Sequence, residues 1–195
     1  MEEEQIIKLI EEAGGWIKSA DLRAWGVNYY AMDELLEKGL LERVQRGIYR
    51  LTSHPYDEKT EVARRIPAGV FCMFTACAYY ELSTFTSAEL HVAVPRKARI
   101  FLPEYPPVKL YYWSRIPLET GVIEIDSAGS KVKMYDLEKT VSDIIRLRNK
   151  IGSDLAREVM RNYVRRKDRD LVKLMHYARE LRIEKPVRNY LEILL

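Results

Sequence analysis

Apolar positions near the start of the chain fall on a helical stripe. Ile6, Ile10 and Ala13 share one face with Ile7 and Leu9 beside them, and Gly14-Gly15 ends the run. Ser19 is placed to cap a short helix reaching Ala24, Gly26 supplies a tight turn, and Asn28 caps a second helix that runs to Lys38 and stops at Gly39. In that second helix Met32, Leu35 and Leu36 point inward. The period then drops to two: residues 40–44 and 48–51 read as strands either side of Gln45-Arg46-Gly47, where glycine fits the positive φ of a hairpin turn. Helix, turn, helix and two-stranded ribbon in that order make a winged helix-turn-helix, assigned to residues 1–54, with Thr52-Ser53-His54-Pro55 as the connector to the remainder.

The remainder, residues 55–195, reads as one α/β (α+β) domain. Residues 57–65 predict a helix stopped by Pro67, residues 69–74 a buried strand, and Thr75 the cap of a helix reaching Leu82. Further strands are predicted at residues 89–94, 108–113, 122–126 and 131–135, so residues 55–135 form a small mixed sheet with helices. From Asp136 the period is 3.6 to the end. Helices over 136–148, 154–166, 168–181 and 186–194 make residues 136–195 a C-terminal helical bundle.

Charge changes this picture more than composition does. The 195 residues are 47% hydrophobic and 31% charged, an ordinary globular balance with net charge +3. Residues 1–54 hold 7 lysines and arginines against 10 acids, residues 55–130 hold 8 against 9, and residues 131–195 hold 17 against 10. The three parts therefore carry −3, −1 and +7. Acids of the first part, Glu2, Glu3, Glu4 and Glu11 among them, lie on the first helix, and residues 16–54 are close to neutral. Phosphate neutralisation supplies most non-specific DNA affinity, so an acidic winged module alone would hold a duplex weakly.

Candidate DNA contacts follow from position. Asn28, Tyr29 and Tyr30 open the helix that enters a major groove in this architecture, Lys18 and Ser19 open the one before it, and Arg43 and Arg46 sit on the wing. Asp33, Glu34 and Glu37 oppose phosphate if they face it. A basic ridge is formed by Arg157, Arg161 and Arg165, every fourth residue opposite an apolar stripe, and is extended by Arg166, Lys167 and Arg169. It fits flanking DNA phosphates, an acidic protein surface or a solvated face.

Signals for chemistry are sparse. Asp136, Glu138 and Asp143 are the acids that cluster. Asp136 reads as a helix cap, however, and Asp143 stands two turns further on, about 10 Å along the axis, too far for a shared metal. Cys72 and Cys77 lie in an apolar stretch and read as core thiols of a cytoplasmic protein; His54, His91 and His176 are scattered. Tyr79-Tyr80 and Tyr111-Tyr112-Trp113 read as packing, with one member of each group turned inward. No cofactor, metal or catalytic residue is called for. The charge-free run Ile66–Tyr80 is too short for a membrane span, and the acidic start is unlike a signal peptide.

Three segments together are similar to the AbiEi family of antitoxins, the transcriptional regulators of abortive-infection toxin–antitoxin pairs. They are the winged module ending Gly39-Leu40-Leu41-Glu42-Arg43-Val44-Gln45-Arg46-Gly47-Ile48-Tyr49, then Phe74-Thr75-Ala76-Cys77-Ala78-Tyr79-Tyr80-Glu81-Leu82, and Asp136-Leu137-Glu138-Lys139-Thr140 through Asp143. Glu81 stands where the family has histidine, and the second helix opens with Asn28-Tyr29-Tyr30 where a serine- and arginine-rich start is usual. The resemblance implies a non-enzymatic repressor that binds double-stranded DNA at its own promoter and counteracts a nucleotidyltransferase-like toxin. From the residues alone, two readings stay beside it: a stand-alone winged-helix regulator, and a metal-dependent nucleic-acid or nucleotide-processing enzyme using Asp136, Glu138 and Asp143.

Overall fold

The computed structural model describes residues 3–13, 15–53, 57–102 and 105–194. Glu2, Gly14, His54, Pro55 and the 54/55 boundary lie outside the described residues. The chain forms two compact units, Met1–Asp57 and Glu58–Leu195.

In the first unit, α1 (Glu3–Glu12), β1 (Trp16–Lys18), α2 (Ser19–Ala24), α3 (Tyr29–Glu37), β2 (Leu41–Gln45) and β3 (Ile48–Leu51) follow in order. Ile6 and Ile10 of α1, Leu22 of α2, Met32 and Leu35 of α3, and Leu41 and Leu51 of the strands close one core. Asn28 Oδ1 accepts the Ala31 N–H at 2.8 Å and caps α3 as the sequence predicts. Gly26 and Gly39 take the positive φ values, +79° and +67°, that end α2 and α3. Two features differ from the sequence reading. Trp16–Lys18 is a third strand, pairing antiparallel with β3 so that the sheet order is β1-β3-β2. Ser19 is consequently the first residue of α2 and makes no side-chain cap, Lys18 occupying the cap position in extended backbone.

The second unit is a five-stranded mixed sheet of order β6-β5-β4-β8-β7, built from β4 (Val70–Phe71), β5 (Leu90–Pro95), β6 (Val108–Trp113), β7 (Val122–Ser127) and β8 (Ser130–Tyr135). Alternation along the strands divides its core. Phe71, Val92, Val94, Val108, Val132 and Met134 form one cluster with Val62 of α4 (Glu58–Arg65) and with Ile66 directly after it. Val70, Ala93, Trp113 and Tyr135 face the opposite way. They pack with α5 (Met73–Tyr79) and the C-terminal helices: α7 (Leu137–Arg146), α9 (Ser153–Arg165), α10 (Leu171–Glu180) and α11 (Glu184–Leu194). The predicted bundle thus shares a core with the sheet. Short helices α6 (Arg115–Glu119) and α8 (Arg148–Ile151) join these elements. The predicted strand over 69–74 is only two residues long, because the chain turns into α5 at Met73, whose φ is +46°. Thr75 is therefore inside α5, where its hydroxyl accepts the His91 N–H at 2.7 Å and clasps β5 instead of capping.

At the centre of the second unit Lys139 is fully buried. Its ammonium donates to Asp143 Oδ2 one turn on, and lies 3.9 Å from the centroid of the Tyr135 ring and 4.5 Å from that of Trp113. The Arg146 guanidinium also lies 4.5 Å from the Trp113 ring, and reaches within 2.9 Å of Asp143 Oδ1, out of line for a hydrogen bond. Burial pulls the Lys139 ammonium below its ordinary pKa and pushes the Asp143 carboxyl above its own, while their mutual attraction acts against both shifts. Removing one partner strands the other's charge in an apolar core. Asp143→Ala should cost about 3–5 kcal/mol in a denaturant melt, and Lys139→Met with Asp143→Leu together should cost less than Asp143→Ala alone.

His91, 1% exposed, is held between Ser87 Oγ at its Nε2 and the Tyr111 hydroxyl at its Nδ1, both at 2.9 Å. Burial lowers its pKa from 6.5 to about 4. Because the folded value lies below the unfolded one, the unfolded chain takes up the proton first as pH falls. Stability attributable to this residue is complete above pH 6.5 and lost between 6.5 and about 4. Comparing unfolding free energies of the parent and His91→Gln across that window should show a parent-specific fall of roughly 2–3 kcal/mol; parallel curves would contradict it.

Candidate nucleic-acid interface

The wing is built by the β2–β3 hairpin. Register runs Leu41 with Leu51 and Arg43 with Tyr49, then slips between Arg43 and Gln45, and Gly47 at φ +78° closes the turn with Arg46 exposed beside it. Gly47 O accepts the Ser19 N–H at 2.9 Å, which fastens the wing to the first residue of α2. Lys18, half-buried, ends β1 directly before that point, and Arg43 is exposed on β2. Glu42 is held by Arg50.

At the start of α3, Asn28 spends its side-chain oxygen on the cap, leaving only its amide N–H groups for a base or phosphate. Tyr29 and Tyr30 are exposed, Tyr30 at 81%. The Arg23 guanidinium lies 5.9 Å from the Tyr29 ring and donates to Ser19 O at 3.2 Å. Arg23 was missed by the sequence reading. Its signal was its place beside inward-facing Leu22 on α2, which puts a cation on the outer surface next to the opening of α3.

The rest of α3 presents a different surface. Tyr30, Asp33, Glu34, Glu37 and Lys38 line one shallow depression. Lys38 is bound to Glu34 at 2.8 Å and to Glu3 at 2.6 Å, and these carboxylates raise its pKa. Asp33 and Glu37 share the exposed side with that pair. Middle and end of the helix therefore repel phosphate, and the cations able to meet a duplex lie on the wing and around the start of α2 and α3.

In the second unit Arg157, Arg161 and Arg165 are exposed on one side of α9 as their spacing predicts, opposite buried Ala156, Val159, Met160 and Tyr163. Arg157 reaches Asp154 at 3.3 Å. Two members of the predicted ridge have internal partners. Arg166 clamps Asp168 through two hydrogen bonds of 2.9 and 2.8 Å and donates to Tyr80 O at 2.7 Å, and Arg169 donates to Arg166 O at 2.6 Å. Lys167 is exposed.

The acids suggested for chemistry tie helices together. Asp136 Oδ1 caps α7 by accepting the Lys139 N–H at 2.8 Å, and its Oδ2 accepts the Tyr177 hydroxyl at 2.8 Å and pairs with Lys173 at 3.0 Å. Glu138 accepts the Tyr163 hydroxyl at 3.2 Å and the Asp170 N–H at 3.1 Å. With Asp143 given to Lys139, each of the three acids has a packing partner. Among the described residues no group of three histidine, cysteine or acidic side chains converges to hold a metal, and no helix is long and apolar enough to cross a membrane.

Residues 4–52 match the family model described as a transcriptional regulator, AbiEi antitoxin. The first of the three segments named from sequence lies within this match, and the segments at 74–82 and 136–143 lie beyond it. No curated protein sequence matches the chain. Among solved structures, the RV2827C protein from Mycobacterium tuberculosis is similar at 12% identity, covering 96% of this chain and 79% of that one with a TM-score of 0.41.

Proposed function

We propose that this chain, with its AbiEi-type winged module, binds duplex DNA at its own promoter as a repressor and acts as the antitoxin of a pair whose toxin is nucleotidyltransferase-like. It performs no chemistry of its own. The observation that carries the DNA reading is the wing: an exposed arginine on a glycine turn that is hydrogen-bonded to the start of α2, so that Arg46, Arg23 and the opening tyrosines of α3 belong to one small framework. Duplex binding through that framework leaves the acidic part of α3 turned toward a groove or away from phosphate. Affinity is accordingly modest and sensitive to salt.

In gel-shift titrations with a short promoter duplex, Arg46→Ala should weaken binding nearly independently of sequence and lower the salt slope by about 0.9. Tyr29→Ala should alter discrimination between sites. Glu37→Gln with Asp33→Asn should strengthen binding if α3 approaches the backbone. A second reading is favoured by those same acids, namely that α3 docks a basic protein surface. Unchanged duplex affinity in all three variants would select it.

The ridge belongs to the same proposal as an auxiliary contact. Changing Arg157, Arg161 and Arg165 together to Glu should leave the fold intact, since all three are exposed. Loss of promoter affinity with antidote activity kept assigns the ridge to DNA; loss of rescue from toxin in cells with repression kept assigns it to the toxin pathway. Survival of both functions removes the ridge from the mechanism.

A further inference from the structure

We infer that the segment following β5, residues 96–102, binds an unpaired nucleic-acid strand, a second activity separate from duplex binding by the winged module. The net charge of −1 over residues 55–130 conceals a local excess here, because Arg96, Lys97 and Arg99 fall within four positions. Ala98 N–H donates to Pro95 O at 2.9 Å and closes a turn that presents Arg96 and Lys97 to solvent. Beyond the turn, Ala98 and Ile100 pack against the cluster formed by Val92, Val94 and Val108, while Arg99 and Phe101 point outward. This is the alternation of an extended segment, in which outward side chains recur about every 7 Å, close to the step between phosphates in an extended single strand.

Phe101 is 96% exposed, yet the residue before it is anchored, so the ring is offered to solvent from a tethered backbone. A ring presented this way beside cations suits a base with a free face. In a duplex the base faces are covered by their neighbours, leaving Phe101 nothing to stack on; in a single strand each base offers one, whatever its identity. Tyr112, half-exposed, pairs in register with Val94 and lies on the same side of the sheet, giving a second aromatic surface on that side. Among the described acids of α4, which packs on the same cluster, Glu61 is held by Arg64 and Arg65, and Glu58 by the Tyr105 hydroxyl. One ring and part of Leu102 make too little apolar area for a membrane anchor.

The test uses the full chain with fluorescein-labelled dT and rU oligomers of about 12 nucleotides, a length within the footprint of known single-strand binders, read by fluorescence anisotropy at several salt concentrations. The oligomers should bind, and Phe101→Ala should weaken them at least about fivefold while Phe101→Trp holds affinity. Lys97→Gln with Arg99→Gln should flatten the salt slope by about 1.4. Arg46→Ala should leave oligomer binding unchanged, which separates failure of the duplex reading from failure of this one. The inference is overturned by absence of oligomer binding at low salt or by an inert Phe101→Ala. It is equally overturned if Phe101→Ala weakens a duplex of the same length by the same factor, or if it releases the chain from phosphatidylserine vesicles while oligomer affinity stays constant.

Discussion

An ammonium group removed from water must be given back nearly all the stabilisation that water supplied, and in the second unit Lys139 imposes that demand on everything around it. Asp143 supplies the countercharge from one turn further along α7, while Trp113 at the end of β6 and Tyr135 at the end of β8 supply ring faces. These groups come from opposite halves of the sheet, so the solvation of one side chain requires β6, β8 and α7 to meet at one place. The lysine stem constrains the chain further. Gly121 has φ +70°, and a Cβ added there would stand 2.6 Å from Lys139 Cβ, so only glycine fits where the chain enters β7. Gly121 O in turn accepts the Asp136 N–H just before α7 begins.

The winged unit is governed by a different electrostatic condition. The framework proposed to meet a phosphate backbone is a wing tip, two helix starts and a few cations, and α3 itself carries exposed carboxylates. Carboxylates this close to the exposed cations lower the positive potential that the module offers to an anionic partner.

What could be read from the sequence was what is decided locally. Asn28 capping α3, glycines at the helix ends and at the hairpin, Asp136 capping α7 and the exposed arginines of α9 each depend on a few neighbouring residues. The misreadings share the opposite property. Ser19 looked like a cap because its neighbours suit one, but Lys18 is drawn into a strand by β3, far along the chain. Thr75 likewise bonds to β5, and α5 begins early through a left-handed Met73 that no residue pattern announces. Lys139 gave no signal of burial either, since the Trp113 ring that closes over it comes from β6, remote in sequence. The acids at 136, 138 and 143 suggested chemistry by proximity, whereas their partners on α7, α9 and α10 make them joints. In the candidate site, Arg46 was legible from the hairpin. Arg23 was not, because its value comes from the Tyr29 ring beside it.

Cys72 and Cys77 lie in the same core, fully enclosed, and burial drives both thiols up, Cys77 to about 12. Neither forms appreciable thiolate near neutral pH while the second unit is closed. An alkylating reagent in solution therefore meets them only during excursions in which the sheet and its helices part. Their labelling rate becomes a clock for those excursions, already built into the native chain and needing no introduced probe.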